Sequence, residues 1–155
     1  MNASMLTSTL LKTAPAAVVA LATIGVEDIA VVARNPDKAA VLTALSGPLR
    51  ARIHWVELGK PVGEVDVVVN TLPADVAAGY AETVVGAPVL LDAIYDPWPT
   101  PLASAVGAAG GRVISGLHML LNQAFAQVEQ FTGRPAPSVL LRVRMSGTIP
   151  SRSKA

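Results

Sequence analysis

The chain has 155 residues, of which 52% are apolar and 15% charged, with a net charge of +1. That length suits one domain or the lower end of two, the apolar content excludes a disordered chain, and the small charge offers no field to hold nucleic acid or an anionic membrane. With no cysteine, a disulfide scaffold, a thiolate metal site and a cysteine nucleophile are excluded as well.

Met1–Leu11 is rich in Ser, Thr and Asn and carries no Lys or Arg, so it lacks the basic start of a secretory signal. The apolar stretch Ala14–Val26 is too short to span a bilayer. Thr13–Thr23 reads as a helix, with Thr13 as cap, Pro15 in the first turn and Gly25 as the stop. Ile29–Ala33 (IAVVA) reads as a strand, and Pro36–Leu45 as a helix that starts at Asn35 and stops at Gly47. Arg52–Val56 alternates and belongs nearer a sheet edge. Asp66–Asn70 (DVVVN), Pro88–Asp92 (PVLLD) and Arg112–Ser115 (RVIS) are further strands, with helices at Asp75–Val84 and Thr100–Ala108 between them. Gly116–Thr132 is the strongest helix: Leu117, Leu120, Leu121, Ala124, Val128 and Phe131 share one face, and Gly133 ends it. Gly133–Ala155 holds five of the 12 basic residues and no acid. Its last residues, Ser151–Ala155, read as a frayed tail.

Runs that are apolar throughout belong to strands buried on both faces. Their alternation with helices and short loops predicts an α/β class: a doubly wound, mostly parallel sheet with helices on both faces.

Four places could carry chemistry. Arg34 directly follows the IAVVA strand, and Lys38 lies one helical turn on. In a dinucleotide-binding fold an acid at this tip binds the ribose hydroxyl of NAD, whereas a cation accommodates the phosphate of NADP, so Arg34 points to NADP. Two solvated cations at a strand–helix junction are the alternative. Asn70-Thr71-Leu72-Pro73 is a polar turn at a strand's carboxyl end, where open parallel sheets bind ligands; an ordinary connection is the bland reading. Asp92–Pro101 carries three prolines in its second half and is expected to be stiff and extended, holding Tyr95 over a ligand, with Trp98 as a possible packing plug. Asp92 and Asp96 do not form an acid–base pair by any fixed geometry. In Ser115–Gln123, Gly116 permits close approach of a ligand, and Gly116, Met119 and Gln123 share a helical stripe. Gln123 offers both donor and acceptor to a polyol; the alternative makes Met119 core filler and Gln123 solvated. His118 and His54 lie in different elements, so no metal site is expected.

The runs VLLDAIYDPWPTPL (Val89–Leu102) and GGRVISGLHMLLNQAFAQVEQFTG (Gly110–Gly133) resemble shikimate dehydrogenase, more narrowly its actinobacterial form. The resemblance extends from Thr13 to Pro137 and covers only the C-terminal, NADP-binding domain. It implies a Rossmann-like fold at 13–137, preceded by a non-matching segment 1–12 and followed by a divergent tail 138–155. It also implies a fragment truncated at its N-terminus.

By that resemblance, the family's Asn-Arg-Thr segment for the NADP 2′-phosphate matches Ala33-Arg34-Asn35, with Lys38 as a second cation. Asn70, Thr71 and Leu72 match the turn beside the cofactor, and Ala93, Gly116 and Met119 match positions lining the nicotinamide half. Tyr95 and Gln123 match residues that reach shikimate. The family reduces 3-dehydroshikimate to shikimate with hydride from NADPH. Its Lys/Asp pair for proton transfer sits in motifs containing Asn-Val-Thr and Asn-Thr-Asp, neither of which occurs here, so no catalytic residue is assigned. Three glycine positions of the family's Gly-x-Gly-Gly-Thr-Ala loop fall on Thr9, Leu11 and Lys12, and the polar MNASMLTSTLL implies a first strand degraded or missing. The implied protein is a cytoplasmic cofactor-binding half, inactive alone, with or without a partner chain supplying the other half. A non-catalytic NADP-binding or regulatory module, a decayed remnant and a quinate-using relative are the alternatives.

Overall fold

The computed structural model describes residues 1–7 and 13–136. Its strands are β1 (Asn2–Leu6), β2 (Asp28–Ala33), β3 (Arg52–Glu57), β4 (Val67–Asn70), β5 (Val89–Asp92) and β6 (Arg112–Ser115). Its helices are α1 (Thr13–Thr23), α2 (Pro36–Thr43), α3 (Ser46–Leu49), α4 (Ala74–Ala78), α5 (Pro101–Ala108) and α6 (Gly116–Thr132), with a 3-10 turn at Ala81–Thr83. The strands form one parallel sheet in the order β3-β2-β1-β4-β5-β6, with β3 at an edge as its alternation predicts. Met1–Leu117 is one compact unit, and the chain from His118 onward is a second.

The uninterrupted apolar strands follow from a sheet covered on both faces. Val31, Val69 and Leu91 pack into a cluster with Val18 and Leu21 of α1 and Leu42 of α2. Their neighbours Val32, Val68 and Leu90 point the other way, into a cluster with Ala77 of α4 and Leu102 and Val106 of α5. Val18, Val31, Val32, Val68 and Leu90 are fully buried, each side chain contributing about 1.5–3 kcal/mol.

Local chemistry sets the helix ends. Past α1, Gly25 takes φ +89°, its N–H donates to the Ala22 carbonyl at 3.0 Å, and Val26 N–H donates to Leu21 at 3.0 Å. This double closure needs a left-handed residue at Gly25, and the buried Val26 and Leu21 complete it. Asn35 caps α2, its Oδ1 accepting from Asp37 N at 2.9 Å and Lys38 N at 3.3 Å. Thr100 caps α5.

Several expectations are corrected. The first strand is not missing: Asn2–Leu6 pairs with β2 and β4 at the centre of the sheet. Two-sided backbone pairing holds it despite its composition, and its polarity survives as buried Ser4 and Thr7, whose hydroxyls have no partner among the described residues. The helix expected to Leu45 ends at Thr43, and Gly47 lies inside α3, because Ser46 Oγ accepts from Ile53 N at 3.0 Å and donates to Ile53 O at 3.2 Å. The helix expected over Asp75–Val84 breaks after Ala78, where Gly79 weakens it and Tyr80 packs on the second cluster. The loop after β5 is not extended; it bends over 96–99, with cis peptide bonds at Asp96–Pro97 and Trp98–Pro99.

In the second unit α6 runs on to Thr132 and closes at Gly133, whose φ is +63° and whose N–H donates to the Glu129 carbonyl at 2.9 Å. The face expected to be buried leaves Leu120, Val128 and Phe131 exposed. The glycine-loop positions Thr9, Leu11 and Lys12 and the tail 138–155 lie outside the described residues.

Candidate functional site

In this sheet the chain direction of the connections reverses between β1 and β4. Open parallel sheets leave a crevice at that point, beyond the carboxyl ends of their strands. The register brings those ends level: Leu6 opposes Val32 and Asn70, Asn70 opposes Asp92, and Asp92 opposes Ser115. Most of the residues singled out from the sequence therefore sit along one rim.

At the β2 end, Arg34, Asn35 and Lys38 are exposed. Neither cation has an ion pair among the described residues. Asn35 spends its side-chain oxygen on the α2 cap, which leaves its amide nitrogen free of that bond. Trp55 of β3 donates Nε1–H to the Ala33 carbonyl at 2.9 Å, beside Arg34. At the switch point, Thr7 N–H donates to Val32 O at 3.0 Å, and the Thr7 hydroxyl is buried without a partner among the described residues.

Beyond β4 and β5 the rim is a polar network. Asn70, Asp92 and Thr100 are fully buried. Asn70 Oδ1 accepts from Leu72 N at 3.0 Å, which folds the turn after β4. Leu72 itself is buried, anchoring that turn in the second cluster, while Thr71 beside it is half-buried. Asn70 Nδ2 donates to Asp92 Oδ1 at 2.9 Å, and Ala93 N–H donates to the Asn70 carbonyl at 2.9 Å. Gly116 opens α6 directly against this loop: its N–H donates to Ile94 O at 3.3 Å, and a Cβ there would collide with the Ala93 carbonyl. The close approach expected of Gly116 is therefore made to the backbone of Ala93.

Tyr95, on the same loop, is 53% exposed. Met119 is half-buried and Gln123 exposed; both belong to α6 in the second unit. Sequence reasoning weighed Asp92 only as an acid–base partner and Thr100 only as a helix start, and missed their buried bond to each other as well as the buried Thr7. The Thr-Pro at the head of α5 is the one local signal that could have marked Thr100, since it spells a cap followed by proline at the first helical position.

A cavity of about 430 Å³ opens at the opposite, amino edge, lined by Asn2, Glu64, Asp66, Thr83 and Pro88 among others. Strand carboxyl ends are the better place for a ligand, because loops and helix N-termini converge there. Among the described residues no group of His, Asp and Glu could hold a metal, and no helix is long and apolar enough to cross a membrane.

A parallel sheet in this order, with helices on both faces and a polar rim at its switch point, defines a Rossmann-like domain. Comparison with known proteins narrows the class. A model of the shikimate 5′-dehydrogenase C-terminal domain matches residues 116–140. A model of the IlvB leader peptide matches residues 1–26, a stretch that includes β1 and α1. Shikimate dehydrogenase from Mycobacterium tuberculosis is 55% identical with a TM-score of 0.87, over 96% of this chain and 57% of that one. The Mycobacterium fortuitum shikimate 5-dehydrogenase is 52% identical with a TM-score of 0.84, over 92% and 55%. The shikimate dehydrogenase (NADP(+)) of Paramagnetospirillum magneticum is 35% identical over 141 residues, 83% of this chain and 49% of that protein. The chain belongs to the shikimate dehydrogenase family and corresponds to its C-terminal part. It spans about half the length of the curated relatives it matches.

Proposed function

We propose that this chain is the NADP(H)-holding half of a shikimate dehydrogenase, the oxidoreductase that moves hydride between NADPH and 3-dehydroshikimate. The observation that carries this reading is the rim itself: β2 is followed directly by Arg34 rather than an acid, and the Asn70 turn lies across the switch point from it. Arg34 and Lys38 meet the 2′-phosphate, with Asn35 beside them; Asn70, Thr71 and Leu72 pass along the cofactor; Ala93, Gly116 and Met119 line its nicotinamide end. NADP supplies the hydride chemistry when bound. Arg suits its role because the planar guanidinium bonds a phosphate through two nitrogens and stacks on adenine. Tyr95 and Gln123 reach the sugar-acid substrate. The domain comprises β1 together with residues 13–137 and works in the cytoplasm.

The general acid lies outside these 155 residues, since neither Asn-Val-Thr nor Asn-Thr-Asp occurs in them. The second reading, an NADP-binding module without turnover, is favoured by that same observation. Titration of the purified chain with NADPH, NADH and shikimate separates them. Binding of NADPH well above NADH supports the cofactor assignment. Gain of shikimate oxidation on adding a chain that carries the family's N-terminal half supports the enzyme reading. Binding without such gain supports the module, and no binding at millimolar NADPH overturns both.

A further inference from the structure

Asp92 is a fully buried carboxylate that the proposed chemistry does not use. Burying such a group is costly unless its oxygens are met by donors, and here three donors meet it. Oδ1 accepts from Asn70 Nδ2 at 2.9 Å and from Ile94 N at 3.1 Å. Oδ2 accepts from Thr100 Oγ1 at 2.6 Å. Thr100 Oγ1 in turn accepts from Ala103 N at 3.0 Å, so the hydroxyl can only direct its proton at Asp92. One side chain thus holds the turn after β4, the first residues of the loop after β5 and the head of α5. Both ends of that loop, Ile94 and Thr100, close on the same carboxylate. Between them Tyr95 and Trp98 stand exposed.

We propose that Asp92 is a positioning residue: its carboxylate latches both ends of loop 94–100 to the Asn70 turn and so sets where Tyr95 stands over the strand-end rim. The functional weight of the latch rests on the reading of Tyr95 and the Asn70 turn given above. The latch itself is testable without any ligand, so the two can fail separately.

Trp98 reports the loop. The chain has two tryptophans, and Trp55→Phe leaves Trp98 alone. In that background of the full chain, acrylamide quenching of Trp98 is measured under native conditions alongside a circular-dichroism spectrum. Asp92→Asn removes the acceptor facing Thr100, and Thr100→Val removes the donor. Each is expected to raise the quenching constant about twofold, as a tryptophan now 41% exposed opens further to solvent, with the spectrum unchanged. Thr100→Ser keeps the hydroxyl and is expected to hold the parent value, which loss of general stability would not predict. NADPH affinity is expected to fall about tenfold in Asp92→Asn and to stay within about twofold in Thr100→Ser. Should Asp92→Asn fail to fold, the Thr100 pair decides alone. Unchanged quenching in Thr100→Val, or equal quenching in Thr100→Ser and Thr100→Val, overturns the latch. A parent chain that binds no NADPH overturns the proposed function and leaves the quenching comparison to stand by itself.

Discussion

The indole Nε1 of Trp55 donates to the carbonyl of Ala33 across 2.9 Å, tying the edge strand to the residue before Arg34. The peptide that sets where the guanidinium emerges is therefore held from the side as well as along its own strand. Replacing Arg34 by Gln removes a charged partner of a phosphate, worth about 1.5–3 kcal/mol. The expected result is a loss of roughly tenfold to a hundredfold in NADPH affinity with NADH affinity unchanged, read by fluorescence titration. Equal losses for the two nucleotides would remove Arg34 from the 2′-phosphate.

Gly116→Ala tests the approach of α6 to Ala93. The added methyl meets backbone, which cannot swing aside as a flexible side chain does. A loss of about 1–3 kcal/mol is expected, seen as a lower melting temperature. Gly47→Ala is the control, because nothing lies within 4 Å of that Cβ and its φ is ordinary. Its effect is expected to stay within about 0.5 kcal/mol.

Ser4→Ala is expected to stabilise. The hydroxyl is wholly buried between β2 and β4 and has no hydrogen-bond partner among the described residues. Its burial costs about 1–3 kcal/mol that a methyl does not incur, so the melting temperature is expected to rise by several degrees. A fall would mean that the hydroxyl is satisfied in solution.

Arg52→Ala is expected to leave stability nearly unchanged. Arg52 Nη1 lies 3.2 Å from Asp28 Oδ2, but its side chain is 72% exposed, so the pair contributes under about 1 kcal/mol. His54 Nδ1 is also 3.1 Å from Asp28 Oδ1, without forming a hydrogen bond to it. A chemical denaturation midpoint within error of the parent is the expected reading.

Elements whose character is local were legible in the sequence. β2 stands out as an apolar run between charged and polar flanks, and α1 carries its own stop in Gly25. The edge position of β3 follows from the alternation of Arg52–Val56. What escaped depends on partners far along the chain. β1 looks too polar for a central strand until β2 and β4 close on it. The bond of Asn70 to Asp92 joins residues 22 apart, and no local pattern encodes it. The face of α6 was read from periodicity, which says which residues could be covered, not whether anything covers them; Phe131 is 86% exposed. On the rim, the positions of Arg34 and the Asn70 turn were legible because strand ends are easy to find. The clamp on Tyr95 was not, because Asp92 presents itself in sequence as the mere end of a strand.

Among the described strands, the central one is made before its neighbours. One neighbour, β2, follows soon after, but the bond from Asn2 N–H to Asp66 Oδ2 at the root of β4 spans 64 residues. At synthesis rates of about 5–20 residues per second, that flank stays bare for several seconds. An unpaired strand edge invites any extended chain nearby, so this sheet is stickiest in the interval before β4 is made. The buried serine and threonine, a burden to the finished sheet, make that waiting ribbon less greasy.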